Sequence, residues 1–169
     1  MAISEHIYHR RVQFPETDAA GIVHFTNFFK YVEEAEHSMW RAAGLSIATE
    51  RDRQIGWPRI AASFQYRRPL KFEDEFDVHL RVAEKTPQTL RYSAILRKDG
   101  ELIAEGSMTI ICVRRRPGEH VKVIDIPPDI DARFEVAPVE TAHGDAELPP
   151  KTSSVERSSP GGGRHRGEE

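Results

Sequence analysis

The stretch Phe14-Pro15-Glu16-Thr17-Asp18-Ala19-Ala20-Gly21-Ile22-Val23-His24-Phe25-Thr26-Asn27-Phe28-Phe29-Lys30-Tyr31 decides how the chain is read. A strand-like run, Ile7 to Phe14, leads into it, Asp18 and Gly21 fall in a loop, and a helix opens near Asn27. An acid is thereby placed just upstream of a helix start. Backbone N–H groups there lack intrahelical partners and can receive developing negative charge. A carboxylate beside such a site is what hydrolysis of an activated acyl group needs. Asp18 can equally make a plain turn, its side chain bonding the backbone of Ala20 or Gly21.

Working outward, Phe28, Val32, Ala35, Met39 and Ala42 recur at spacings of three and four, which predicts an amphipathic helix over Asn27–Ala43. Thr26 or Asn27 suits its N-cap, and Gly44 suits the position just past its end. Four strands should follow. Ile60, Ala62, Phe64 and Tyr66 alternate with Ala61, Ser63, Gln65 and Arg67. Phe76-Val78-Leu80-Val82 and Leu90-Tyr92-Ala94-Leu96 alternate in the same way. Asp99-Gly100 then marks a tight turn before a long last strand, Leu102 to Val113. One strand, one helix and four hairpin-joined strands specify an α+β domain, a curled antiparallel sheet of about five strands around one long helix. A single helix covers such a sheet sparingly, and the last strand is apolar on both faces toward its end. That strand should be central or pair with another subunit, and a dimer is expected.

Composition excludes several classes. The chain has 169 residues, 38% of them apolar, and a formal charge of −3, so nothing in it favours nucleic acid or an anionic membrane as partner. No apolar stretch approaches the ~20 residues of a membrane span. Met1 to Arg11 is polar and alternating, unlike a signal peptide, and the lone Cys112 allows no internal disulfide. A cytoplasmic location is the expectation. Residues 1–137 should form the domain. Residues 138–169 lack aromatics, and Ser158-Ser159-Pro160-Gly161-Gly162-Gly163 is of low complexity, so a disordered tail is expected.

The run Val12 to Phe28 closely resembles the opening of the hotdog-fold acyl-CoA thioesterases, and most of all their 4-hydroxybenzoyl-CoA thioesterase and YbgC-like branch. Glu33-Glu34-Ala35 and Tyr66-Arg67-Arg68-Pro69-Leu70 match that branch too, and the similarity covers about residues 5–130. The resemblance implies a hotdog fold, a homodimer or homotetramer with active sites at the subunit interface, and hydrolysis of acyl-CoA without metal or other cofactor. It places the catalytic aspartate on Asp18 and the oxyanion-donating backbone amide on Phe25. Many members of the branch carry Tyr-His where this chain has His24-Phe25, so a histidine role at the second position does not transfer.

Other residues compete for roles. His24 could touch the acyl group or orient water, or simply pack at the pocket mouth. Gly21 could let the backbone approach substrate or adopt positive φ. Glu33 and Glu36 share a mixed helix face with Phe29 and Trp40, and a helix glutamate is the acid in another hotdog branch. Glu33 and His37 have i,i+4 spacing, but no third metal ligand is placed, and an ordinary ion pair is the simpler reading. Cys112 reads as a buried structural thiol. Arg114, Arg115 and Arg116 with Lys122, and Arg67-Arg68 with Lys71, could hold the phosphates of CoA. Trp57, Phe64, Tyr66 and Met39 are candidates for setting pocket depth. The rival readings are a hotdog hydratase or dehydratase, and a non-catalytic acyl-CoA-binding or assembly module.

Overall fold

The computed structural model describes residues 1–48 and 53–138. The expected tail, apart from Pro138, lies outside the described residues. The elements run β1 (Glu5–Arg11), a 3-10 turn (Phe14–Glu16), α1 (Asn27–Ala42), β2 (Ile55–Gly56), β3 (Arg59–Tyr66), β4 (Glu75–Lys85), β5 (Thr89–Lys98), β6 (Glu101–Ile111), β7 (Val113–Arg114), β8 (Lys122–Val123) and α2 (Pro128–Asp131). Five strands form an antiparallel sheet in the order β1-β4-β5-β6-β3, and β2, β7 and β8 form a small second sheet. Among the described residues, no helix is long and apolar enough to cross a membrane.

Period-two patterning explains the sheet. Phe76, Val78, Leu80 and Val82 of β4 and Leu90, Tyr92, Ala94 and Leu96 of β5 all face the core, packed with Phe28, Tyr31, Val32, Ala35, Met39 and Trp40 of α1. The hairpin between β5 and β6 turns on Asp99 and Gly100, both at positive φ, as a two-residue connection requires. At the C-terminal end of α1, Gly44 sits at φ +77°. Its N–H reaches Arg41 O while Leu45 N–H reaches Trp40 O, closing the helix.

Several expectations need correcting. The first strand stops at Arg11 rather than Phe14, because Pro15 cannot donate to a ladder and Phe14–Glu16 winds into a 3-10 turn. Ala42 is exposed and Ala43 buried, so the apolar stripe of α1 ends one residue later than its spacing suggested. The helix start has no side-chain cap from Thr26, whose backbone is already helical (φ −66°, ψ −24°). β3 keeps its alternation but not its burial: seven of its eight residues are exposed and Phe64 is half-buried. The cause is position. β3 is a sheet edge, and Phe64 meets α1 through the rings of Phe28 and Phe29, at 6.2 and 5.1 Å. β6, by contrast, lies between β5 and β3, inside the sheet as expected.

Glu36 departs furthest from a solvated helix face. It is fully buried, and its carboxylate accepts a hydrogen bond from Arg59 at the start of β3. Arg59 also pairs with Glu33 at 3.1 Å and donates to Trp57 O at 3.2 Å. Burial outweighs the Arg59 charge and, with Glu33 nearby, pushes the Glu36 carboxyl up to about 7. For an acid with a raised folded-state pKa, protonation favours the folded state: the contribution is full below the ordinary value of 4.5 and is lost as pH rises through about 7. Glu36→Gln should therefore gain stability relative to wild type between pH 5 and pH 8. Urea denaturation of both proteins across that range measures the difference, and a difference independent of pH would contradict it.

Candidate active site

The loop between β1 and α1 is held by Glu16. Its carboxylate accepts from Arg10 (Nη1 at 2.8 Å and Nη2 at 2.5 Å), from the Gln13 backbone N–H at 2.8 Å and from the Tyr31 hydroxyl at 2.9 Å. Its backbone carbonyl accepts from His24 N–H at 2.9 Å and from the Asn27 side chain at 2.8 Å. Arg10 also binds Glu34 on α1 and lies 4.4 Å over the Tyr31 ring. Burial alone would raise the Glu16 carboxyl, yet the Arg10, Gln13 and Tyr31 donors hold it below its usual range. Burial and the Glu16 charge push the Tyr31 phenol up. One carboxylate thus ties β1, the loop and the helix together.

Downstream, the chain turns sharply. Asp18 N–H donates to Ile22 O at 2.8 Å and Gly21 N–H to Asp18 O at 2.9 Å, with Gly21 at φ +75°. A Cβ on Gly21 would have no atom within 4 Å, so the backbone angle rather than crowding calls for glycine. The Asp18 side chain does make the local turn, since Ala20 N–H donates to its Oδ1 at 2.8 Å. That bond orients the exposed carboxylate and leaves Oδ2 available. Val23 N–H then reaches Leu70 O at 2.8 Å, clamping the segment to the chain after β3.

The helix entry follows at once. Asn27 N–H bonds His24 O at 2.9 Å and Phe28 N–H bonds Phe25 O at 3.3 Å. Among the described residues, no acceptor takes the Phe25 N–H. Asp18 and Phe25 line one cleft of about 470 Å³, whose other walls include Ile22, Phe28, Tyr66 and Arg68. This volume lies within the range of small-molecule sites. Phe28 and Tyr66 meet edge to face at 5.0 Å, and Tyr66 stacks on Phe64 at 6.1 Å, so an aromatic wall shares the cleft with the acid.

Several predicted residues lie elsewhere. His24 is half-buried and hydrogen-bonds Thr26 Oγ1 through Nδ1 at 2.8 Å, outside the residues that line the cleft. Arg115 and Arg116 border a separate cleft with Gln54, Ile55 and Gly56, and the exposed Arg114 lies on β7. Met39 and Trp57 are buried in the core, whereas Phe64 and Tyr66 do reach the aromatic wall. Cys112 is buried. Glu16, Arg10 and Tyr31 escaped sequence reasoning, although Gln13-x-x-Glu16 carries a usable signal: it is the spacing of a capping box, and Glu16 closes one here.

Residues 12–134 match the family model described as the thioesterase-like superfamily. The chain is 34% identical to a hypothetical protein of Aquifex aeolicus of known structure, over 77% of this chain and 99% of that one, with a TM-score of 0.72. It is 29% identical to a gentisyl-coenzyme A thioesterase of known structure, over 77% and 100% of the two chains, with a TM-score of 0.70. A 1,4-dihydroxy-2-naphthoyl-CoA hydrolase of Trichodesmium erythraeum is 28% identical over 70% of this chain and 88% of its own.

Replacing Glu16 tests the anchoring of the loop. Glu16→Gln keeps the side-chain volume but gives up the charge-assisted bonds from Arg10. Its melting temperature should fall by about 3 °C or more, and thioester turnover should fall with it. Calorimetry beside a turnover assay checks both, and a variant that melts and turns over like wild type would contradict the anchoring role.

Proposed function

The chain belongs to the thioesterase-like superfamily and is a thioester hydrolase of the hotdog fold, and on that footing we propose that Asp18 and the Phe25 amide perform the reaction on an acyl-CoA. The observation that carries this reading is that an acid with a spare oxygen shares a cleft with a backbone N–H that lacks an acceptor among the described residues. Asp18 attacks the thioester carbonyl as nucleophile, or takes a proton from the water that does. Charge builds on the carbonyl oxygen, which the Phe25 N–H and the positive end of α1 receive. Collapse of that adduct breaks the C–S bond and CoA leaves as thiolate. On the water route the acyl group is then already the carboxylic acid; on the nucleophile route it is a mixed anhydride with Asp18 that a water hydrolyses to the carboxylic acid, restoring the Asp18 carboxylate. The good leaving group explains why one carboxylate suffices. His24 is left to shape the entry through Thr26, and Gly21 to permit the turn.

The wall of Phe25, Phe28 and Tyr66 favours an aromatic acyl group, because offset and edge-to-face ring contacts add to area burial. The aryl-CoA named for the gentisyl and dihydroxynaphthoyl relatives points the same way. Arg67 and Arg68 at the cleft, and Arg114, Arg115 and Arg116 beyond it, are the proposed contacts for the phosphates of CoA. A homodimer is part of the proposal. β3 is an exposed edge carrying Ile60 at 58% and Tyr66 at 44% exposure, and antiparallel pairing of two copies would cover it and join their sheets.

Thiol release across benzoyl-, short-chain and long-chain acyl-CoAs, with wild type and Asp18→Asn side by side, tests the reading. Wild type should favour the aryl substrates, and Asp18→Asn should bind yet turn over at least about a hundredfold more slowly, since nucleophile and base routes begin at the same carboxylate. Near-normal turnover by the variant would remove Asp18 from the chemistry, and a preference for long chains would remove the aromatic assignment.

A further inference from the structure

The Tyr66 hydroxyl does something the aromatic wall does not require. It donates to the carbonyl oxygen of Phe25 at 3.2 Å, from the last residue of β3 to the residue two before α1. The neighbours of Phe25 are each held from the loop or the helix itself. His24 N–H goes to Glu16 O, Asn27 N–H to His24 O, the Asn27 amide to Glu16 O, and Thr26 N–H toward His24 Nδ1 at 3.4 Å. Among the described residues, the Tyr66 bond is the hydrogen bond that ties the Phe25 carbonyl to the main sheet. The Tyr66 ring is fixed in turn, edge to face with Phe28 and stacked on Phe64. The hydroxyl therefore works from a seated ring rather than a swinging one.

We infer that Tyr66 is a positioning residue for the oxyanion donor: its hydroxyl holds the carbonyl of the peptide after Phe25, which Phe28 N–H also reaches. Asn27 N–H holds the His24 carbonyl of the peptide that carries the Phe25 N–H, so the two peptides flanking Phe25 are fixed together and with them the aim of that N–H. This rests on the reading of Phe25 given above. A hydrogen bond that must meet charge only as it develops depends on preset direction, because correct aim removes reorganisation at the moment of reaction. The phenyl ring of Tyr66, by contrast, serves the acyl group, so ring and hydroxyl have separable duties. A tyrosine phenol keeps its proton across the neutral range, so the donor is present, and burial pushes the Tyr66 phenol further up.

Tyr66→Phe separates the two duties, since the ring stays and only the donor goes. With the best aryl-CoA of the panel, the single-turnover rate should fall about tenfold, the step expected when one oriented donor is loosened rather than removed. KM and the affinity for a non-hydrolysable thioether analogue of that substrate should stay within about twofold of wild type, and the melting temperature within about a degree. A rate within twofold of wild type overturns the inference. So does a slower rate matched by equally weakened binding of the thioether, because Tyr66 would then be touching substrate directly. Asp18→Asn runs alongside: turnover retained there strikes the acid assignment alone, and the Tyr66→Phe rate is still judged against wild type.

Discussion

The Glu16 carboxylate is the interaction on which the site depends. It stands at the meeting of β1, the loop and α1, and accepts from Arg10, Gln13 and Tyr31, while its backbone carbonyl holds His24 and Asn27. Each of those bonds limits where Asp18 and Phe25 can be. Asp18 follows Glu16 with only Thr17 between them, and His24 directly precedes Phe25. A partly buried carboxylate with several donors is costly to disturb, because every lost partner leaves another polar group unsatisfied. Rigidity at Glu16 is thereby passed to a loop that would otherwise be free to move.

The sheet supplies a second constraint. α1 packs mainly against β1 and β4 and leaves most of β3 exposed, so the wall that carries Tyr66 is finished on one side only. At one end of β3 Tyr66 reaches Phe25, and at the other Arg59 reaches the buried Glu36. The edge strand is thus pinned at both ends through polar contacts, with Phe64 between them against Phe28 and Phe29. A strand held this way keeps its outer edge available, which suits pairing with a second copy. The proposed site and the proposed assembly share one element.

Much of this was legible in the chain. Alternation in β4 and β5, the three-and-four spacing in α1, the Asp99-Gly100 turn and Gly44 each have a local physical cause, and each is where that cause puts it. Asp18 and Phe25 stand close together in sequence just ahead of the helix start, and both line the cleft. What could not be read depends on contacts distant in sequence. Arg10 finds Glu34 across 24 residues, Arg59 finds Glu36 across 23, and Tyr66 finds Phe25 across 41. Periodicity is blind to such pairs. It also cannot tell an edge strand from a central one, which is why β3 promised more burial than it has. The helix face of Glu36 looked mixed because its burial depends on the strand that Arg59 begins.

The central claim is that the thioester carbonyl sits between the Asp18 carboxylate and the Phe25 N–H. The most direct measurement is a crystal structure of the Asp18→Asn protein with an intact aryl-CoA bound. The account predicts the thioester oxygen within about 3 Å of Phe25 N, the carbonyl carbon facing the carboxamide that replaces the Asp18 carboxylate, and the aryl ring against Phe28 and Tyr66. A carbonyl directed away from the start of α1, with Phe25 N–H meeting only solvent, would contradict it.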